Sequence, residues 1–334
     1  MPKCDFSKLP FIFNTFFLQT AGLFPLFFFN QGVIRLITPG NYISGIVGYA
    51  KYRYVKSRPL VLIGEDAKQI SVASVEQQKR KLLIIVLGET SRAKNFSLNG
   101  YERNTNPLLS GQPDLVNFQN TNACGTATAI SVPCMFSNMV QKNYSAAKAE
   151  SQENLLDVLN RAGVGILWRE NDGGCKGVCD RIPTEQVRDY VQDKSECPEG
   201  LCYDEHTLDN LEEYINKQQK DMVIVLHTNG SHGPSYYRRF PEKFNHFQPT
   251  CQTGQVQSCS NEELVNVYDN TILHVDSMVN QTIEYLKKQE NKYETAMIYV
   301  SDHGESLGEN GIYLHGTPYM FAPEEQTNIP MLFW

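Results

Sequence analysis

Three short apolar runs constrain this chain more than any other feature: Leu82 to Leu87 (LLIIVL), Met222 to Leu226 (MVIVL) and Ala296 to Val300 (AMIYV). Each is continuous rather than alternating, the pattern of a strand covered on both faces, and such strands belong to parallel sheets flanked by helices. Val164 to Trp168 reads as a fourth. Helical patterns lie between them. From Glu150 to Arg161, Leu155, Leu156 and Leu159 share one face, and Gly163 supplies a stop. Leu264, Val267, Val275, Val279, Ile283 and Leu286 recur at roughly helical spacing before Ala296. This alternation predicts an α/β domain with helices on both faces of a largely parallel sheet. With 334 residues, 41% of them hydrophobic, the chain is long enough to bury a sizeable core.

The net charge of -7 argues against nucleic acid as a partner, because binding a phosphate backbone needs Lys and Arg in excess. The one dense basic run, Lys79, Arg80 and Lys81, reads as a solvated linker. Of the nine cysteines, eight form close pairs beyond residue 120: Cys124/Cys134, Cys175/Cys179, Cys197/Cys202 and Cys251/Cys259. These read as four short disulfides in an oxidising compartment. Eight cysteines allow 105 connectivities, so neighbour pairing is a preference. A thiolate metal cluster is the rival reading, although no pair of CxxC knuckles is present. Cys4 is left over.

Leu9 to Phe29 contains no charged side chain and is long enough to span a bilayer. Its Asn14, Gln19, Thr20 and two prolines suit an interfacial or signal-like segment equally well. Lys3 and Lys8 favour a cytoplasmic N-terminus, which places the rest of the chain outside the cytoplasm, in agreement with the cysteines. Residues 30 to 58 mix apolar, aromatic and basic side chains, as a segment lying on a membrane surface would. The expected organisation is a membrane-associated segment and linker over residues 1–70 and a soluble domain over 80–334.

Three of the apolar strands end in residues that carry chemistry: Leu87-Gly88-Glu89, Leu226-His227 and Val300-Ser301-Asp302-His303. In open α/β sheets, ligands bind beyond the carboxyl ends of the strands. Glu89, His227, Asp302 and His303 are therefore candidates for one site, with His232 and His315 nearby in glycine-containing loops. Carboxylates with imidazoles are what zinc accepts when no thiolate is offered. The plainer alternatives are a helix-capping acid and a core histidine; the joint occurrence of Asp302-His303-Gly304-Glu305 and Gly88-Glu89-Thr90 after buried strands favours the site. His206, His246 and His274 keep the plain reading. Between Cys124 and Cys134, a helix starting at Ala129 and reaching Met139 would place Thr128 at its N-terminus, where orphan N–H groups favour an alkoxide and a bound phosphate. Simple helix capping by these hydroxyls is an equal reading.

The segments GETSRAKNFSLNGYERNTNP (Gly88 to Pro107), CGTATAISVPCMFS (Cys124 to Ser137), HTNGSHGPSYYRRFP (His227 to Pro241) and SDHGESLGENGIYLHGTPY (Ser301 to Tyr319) resemble the lipid A phosphoethanolamine transferases, including the mobile colistin-resistance enzymes. The resemblance runs from about Phe28 to Trp334. It implies an alkaline-phosphatase-like, sulfatase-related three-layer α/β fold, and a monomeric inner-membrane enzyme with its catalytic domain in the periplasm. Thr128 looks like the nucleophile that takes phosphoethanolamine from phosphatidylethanolamine, holds it as phosphothreonine and passes it to lipid A, with polymyxin resistance as the consequence. Glu89, Asp302 and His303 match zinc ligands, and the Thr128 oxygen completes the tetrahedron. His232 and His315 resemble a pair that contacts the transferred phosphate or a second zinc. Thr126, Lys176 and Glu305 match positions near the substrate head group, and Cys124/Cys134 matches a family disulfide. Asp172 stands where relatives carry Asn, and Ala127 and Ile130 where Ser and Tyr are usual. An acid beside a phosphate site would weaken substrate binding or alter its choice. Relatives also have several transmembrane helices and continue beyond Trp334, so a fragment is expected. Two alternatives stay open: a zinc hydrolase of the same fold that releases phosphate or sulfate to water, and an inactive membrane-associated remnant.

Overall fold

The structure is a computed structural model that describes residues 39–56, 59–69 and 79–334. The candidate span 9–29, Cys4 and residues 70–78 of the linker lie outside the described residues. The chain divides into two units, Met1–Leu60 and Val61–Trp334. The first contains the helix Gly40–Lys56, on which Ile43, Ile46 and Val47 are all exposed. Among the described residues no helix is long and apolar enough to cross a membrane.

Among the described residues the second unit has nine strands: β1 (Arg80–Gly88), β2 (Val116–Asn122), β3 (Gly165–Glu170), β4 (Thr184–Gln186), β5 (Met222–His227), β6 (Tyr293–Ser301), β7 (Ser306–Leu307), β8 (Tyr313–Leu314) and β9 (Asn328–Phe333). Seven of them make one sheet in the order β2-β9-β6-β1-β5-β3-β4, and β7 and β8 pair separately. β1 is parallel to both β5 and β6, and β3 is parallel to β5 and β4. β9 runs antiparallel to both of its neighbours, β6 and β2. The largely parallel sheet expected from the continuous apolar runs is therefore present.

Those runs work because successive side chains point to opposite faces. Leu82, Ile84 and Val86 of β1 and Met222, Ile224 and Leu226 of β5 enter one core with Val267, Val275, Val279 and Ile283 of the helix Asn261–Lys287. Leu83, Ile85 and Leu87, with Val223 and Val225, enter the other with Val132, Phe136, Leu156 and Trp168. At roughly 1.5–3 kcal/mol per large apolar side chain fully buried, each core is a major source of stability. The long helix begins at Ser260, whose side chain accepts from Glu263 N while Glu263 Oε2 accepts from Ser260 N.

Two helix expectations need correction. The run from Glu150 to Arg161 is not one helix but two, Ala146–Ser151 and Leu155–Arg161. The break is made by Asn154, whose Oδ1 accepts from Leu156 N at 2.8 Å while Asp157 Oδ2 accepts from Asn154 N at 2.8 Å. This capping box starts a new helix and turns Leu155 outward, leaving it 45% exposed, while Leu156 is fully buried. The helix expected over Ala129 to Met139 spans Thr128–Met135, so Thr128 is its first residue. The edge strand β2 (VNFQNTN) carries no apolar run, because most of its side chains are exposed.

Candidate active site

Parallel pairing sets the carboxyl ends of the central strands level: Leu87 is in register with His227, Gly88 with Ser301, and Glu170 with His227. The residues just beyond therefore meet. Glu89 Oε1 lies 3.4 Å and Asp302 Oδ2 3.3 Å from His303 Nε2, and all three side chains are fully buried. Main-chain groups hold them in place. Asp302 Oδ1 accepts from Thr90 N at 3.1 Å and from His303 N at 2.7 Å. Asp302 N donates to Gly88 O at 2.9 Å, and the Glu89 carbonyl accepts from Ser231 N at 3.0 Å. Gly230 sits against Glu89 with φ of +50°, and a Cβ there would come within 2.9 Å of Glu89 N. Only glycine fits, both for that φ and for the approach. Thr90 has φ of +59°, an uncommon conformation for a β-branched residue, and its hydroxyl donates to Glu89 Oε1.

Thr128 Oγ1 donates to Glu89 Oε2 at 3.1 Å and lies 3.4 Å from His303 Nε2. It stands at the N-terminus of the helix Thr128–Met135, where unpaired N–H groups and the dipole favour negative charge. The Cys124–Cys134 disulfide joins the loop before Thr128 to the helix after it. The other three neighbour pairs, Cys175–Cys179, Cys197–Cys202 and Cys251–Cys259, are also joined.

The donor set suits a divalent cation. His303 Nδ1 is committed to the Gly304 carbonyl at 2.9 Å, so it carries the proton and leaves the Nε2 lone pair facing the two carboxylates and Thr128. Asp302 Oδ2 is buried without a hydrogen-bond partner. Ligand atoms of Glu89, Asp302 and His303 lie within 4.8 Å of one another. Burial, reinforced by the Asp302 charge, pushes Glu89 up to about 7. Burial pushes Asp302 up to about 6 against the pull of the Thr90 and His303 amides. Burial also lowers His303. Two buried carboxylates crowded in this way, with an unprotonated imidazole, need a cation to ionise fully.

The other expected residues divide into groups. The His315 ring lies tilted against that of His303 with centroids 4.4 Å apart, and against that of His232 at 5.6 Å. His315 Nδ1 meets Glu305 Oε2 at 2.8 Å, and the Tyr236 hydroxyl donates to Glu305 Oε1 at 2.5 Å. Burial pulls the pKa of His315 down, but the Glu305 hydrogen bond and charge outweigh it and the net shift is upward. Thr126 spends its hydroxyl on the Thr317 carbonyl at 2.6 Å, bracing the two loops against each other. Lys176 Nζ donates to Gly173 O at 2.9 Å and lies 3.6 Å from Asp172 Oδ2.

Glu170 is the residue that sequence reasoning missed. It ends β3 and accepts at Oε2 from the Trp168 indole at 2.8 Å and at Oε1 from Asp172 N at 2.8 Å. His227 Nδ1 lies 3.0 Å from its Oε2. The signal was present, because the apolar run of β3 ends in an acid just as the runs of β1 and β6 lead into one.

A family model described as Sulfatase matches residues 81–334, in agreement with the sheet and the strand-end constellation, so the class is that of the sulfatases. Phosphoethanolamine transferase EptA of Escherichia coli strain K12 is 50% identical over 309 residues, 92% of this chain and 56% of that protein. The chain thus spans little more than half the length of such relatives. The crystal structure of the soluble domain of lipooligosaccharide phosphoethanolamine transferase A from Neisseria meningitidis matches with a TM-score of 0.79 and 46% identity, covering 83% of this chain and 82% of that one. The integral membrane form from the same organism matches with a TM-score of 0.85 and 44% identity, covering 95% of this chain and 59% of that one. Within the sulfatase class, the chain belongs to the phosphoethanolamine transferase family.

Proposed function

We propose that this chain is the periplasmic catalytic part of an inner-membrane enzyme that moves phosphoethanolamine from phosphatidylethanolamine to lipid A through Thr128. The observation that carries this reading is the meeting of Thr128 Oγ1 with Glu89 Oε2 and His303 Nε2 at a helix N-terminus. Glu89, Asp302, His303 and the Thr128 oxygen would hold zinc, which supplies a lowered pKa for a bound hydroxyl and charge neutralisation for a phosphoryl group.

In the first step Thr128 Oγ1 forms a bond to the lipid's phosphorus, the phosphorus–oxygen bond to diacylglycerol breaks, and the hydroxyl proton passes in net to the departing oxygen. Phosphothreonine results. In the second, an oxygen of a lipid A phosphate bonds to that phosphorus, the bond to Thr128 breaks, and the acceptor's proton restores the hydroxyl. The N–H groups at the start of the helix Thr128–Met135 receive the phosphoryl oxygens. Glu305 keeps His315 oriented and favours its cationic form, which suits contact with the transferred phosphate, and His232 flanks it. Lys176 and Thr126 are the head-group contacts that the family resemblance suggests. The product carries an added amine, which lowers the negative charge of the outer surface and weakens binding of cationic peptides such as polymyxin.

Intact mass spectrometry of the chain made in a bacterium containing phosphatidylethanolamine tests this. The parent is expected to carry one phosphoethanolamine increment and Thr128→Ala none. An unmodified parent that contains zinc would favour the hydrolase; an unmodified, zinc-free parent would favour the inactive remnant.

A further inference from the structure

On the side of Glu89 facing β3 and β5 lies a second cluster that the transfer chemistry does not use. His227, at the end of β5, is fully buried, and its Nε2 has no hydrogen-bond partner. That atom faces Asp172, 4.0 Å from Oδ2, and the Asp172 side chain is only 8% exposed. Ligand atoms of Glu89, Asp172 and His227 lie within 4.8 Å of one another. The opposite ring nitrogen is committed, since Nδ1 lies 3.0 and 3.1 Å from the two oxygens of Glu170. Glu170 also accepts from the Trp168 indole, Asp172 N and Gly174 N, so it is anchored as a carboxylate and His227 must be the donor between them. A carboxylate that fixes one imidazole nitrogen and leaves the other aimed at two acids is the outer-shell arrangement of metal-binding histidines.

Charge points the same way. Glu89, Asp302, Glu170 and Asp172 bring four carboxylates into one buried region, and the Lys176 ammonium, 3.6 Å from Asp172 Oδ2 and itself 24% exposed, offsets part of one. One divalent ion at Asp302 and His303 leaves negative charge in a place where uncompensated charge is costly.

We propose that Glu89, Asp172 and His227 form a second divalent-cation site, suited to zinc, that shares Glu89 with the Asp302–His303 site. Two carboxylates and one imidazole are a donor set that zinc accepts, with a fourth position left to water. The proposal rests on the reading of Glu89 as a ligand, but its test is independent of transfer activity.

The full chain, stripped of metal and then equilibrated with a zinc buffer, is analysed for bound zinc per chain beside Asp172→Asn, His227→Gln and Asp302→Asn. Asp172→Asn and His227→Gln are each expected to bind one zinc fewer than the parent while keeping the ion lost in Asp302→Asn. Glu170→Gln is expected to weaken one site about 10- to 100-fold and leave the other unchanged. Anomalous scattering at the zinc edge from crystals of the parent should place an ion beside His227 Nε2, and this measurement stands even where His227→Gln fails to fold. Equal zinc content in the parent, Asp172→Asn and His227→Gln, or zinc at Asp302 with none beside His227, overturns the proposal. Zinc beside His227 with none at Asp302 would keep it and remove the catalytic ion instead.

Discussion

Glu89 shows how much one side chain at a strand end is asked to do. It meets Thr128 through Oε2 and His303 and Thr90 through Oε1, and it is sealed from behind by Gly230. Its elevated pKa of about 7, with Asp302 at about 6, sets the pH response. Zinc binds the ionised forms, so lowering the pH through this window makes the metal compete with protons. Zinc affinity measured by titration calorimetry should weaken about 10- to 100-fold between roughly pH 7.5 and 5.5. In the metal-free chain the same residues contribute in the opposite sense. A carboxylate whose folded pKa is raised contributes stability that is fully present below its unfolded pKa and is lost as pH rises through the folded value. Metal-free Asp302→Asn should therefore be more stable than metal-free parent at about pH 8, by on the order of 1–3 kcal/mol, with the difference vanishing near pH 4. A parent that stays the more stable at pH 8 would show that Asp302 finds its counter-charge without metal. Gly230→Ala forces a methyl group against Glu89 at a left-handed φ and should cost at least ~1–3 kcal/mol in urea unfolding, with zinc affinity falling alongside.

At the scale of elements, caps and strand register do what composition does not reveal. Asn154 and Asp157 divide a stretch whose leucines read as one helix, and Asn154→Ala should lower stability by ~1 kcal/mol with an unchanged denaturant slope. The long helix was legible because Val267, Val279 and Ile283 keep its period, and each is fully buried. Ile283→Ala should cost ~2–5 kcal/mol by the same measurement, and a loss under 1 kcal/mol would mean the sheet closes over the cavity. The edge strand β2 was not legible, because exposure on most positions removes the apolar pattern that marks a strand.

For the molecule as a whole, a metal held by these residues would tie the Thr128 helix to the ends of the paired strands β1 and β6. Glu89 follows β1, Thr128 opens a helix, and Asp302 and His303 follow β6. A ligand bound only by the folded state stabilises it by RT ln(1 + [L]/Kd), about 2.7 kcal/mol at a hundredfold excess over Kd. Chelation should accordingly lower the melting temperature by about 5–10 °C, reversibly on return of zinc. No change on chelation would mean that the cluster is satisfied without an ion.

The continuous apolar runs at β1 and β5 marked the parallel sheet by themselves, because burial on both faces leaves little room for alternation, whereas β6 is fully buried only at alternate residues. With the run at β6 they also located Glu89, His227, Asp302 and His303, since chain direction alone sends strand ends to one edge of such a sheet. The partners of each residue were decided only in three dimensions. Strand order puts β1 between β5 and β6, which lets Glu89 face Asp302 and His303 on one side and Asp172 and His227 on the other. Sequence separation carries no trace of that adjacency: Glu170 and His227 sit side by side because β3 and β5 pair in register, and hydrogen bonding between strands far apart in the chain is a property of the folded sheet.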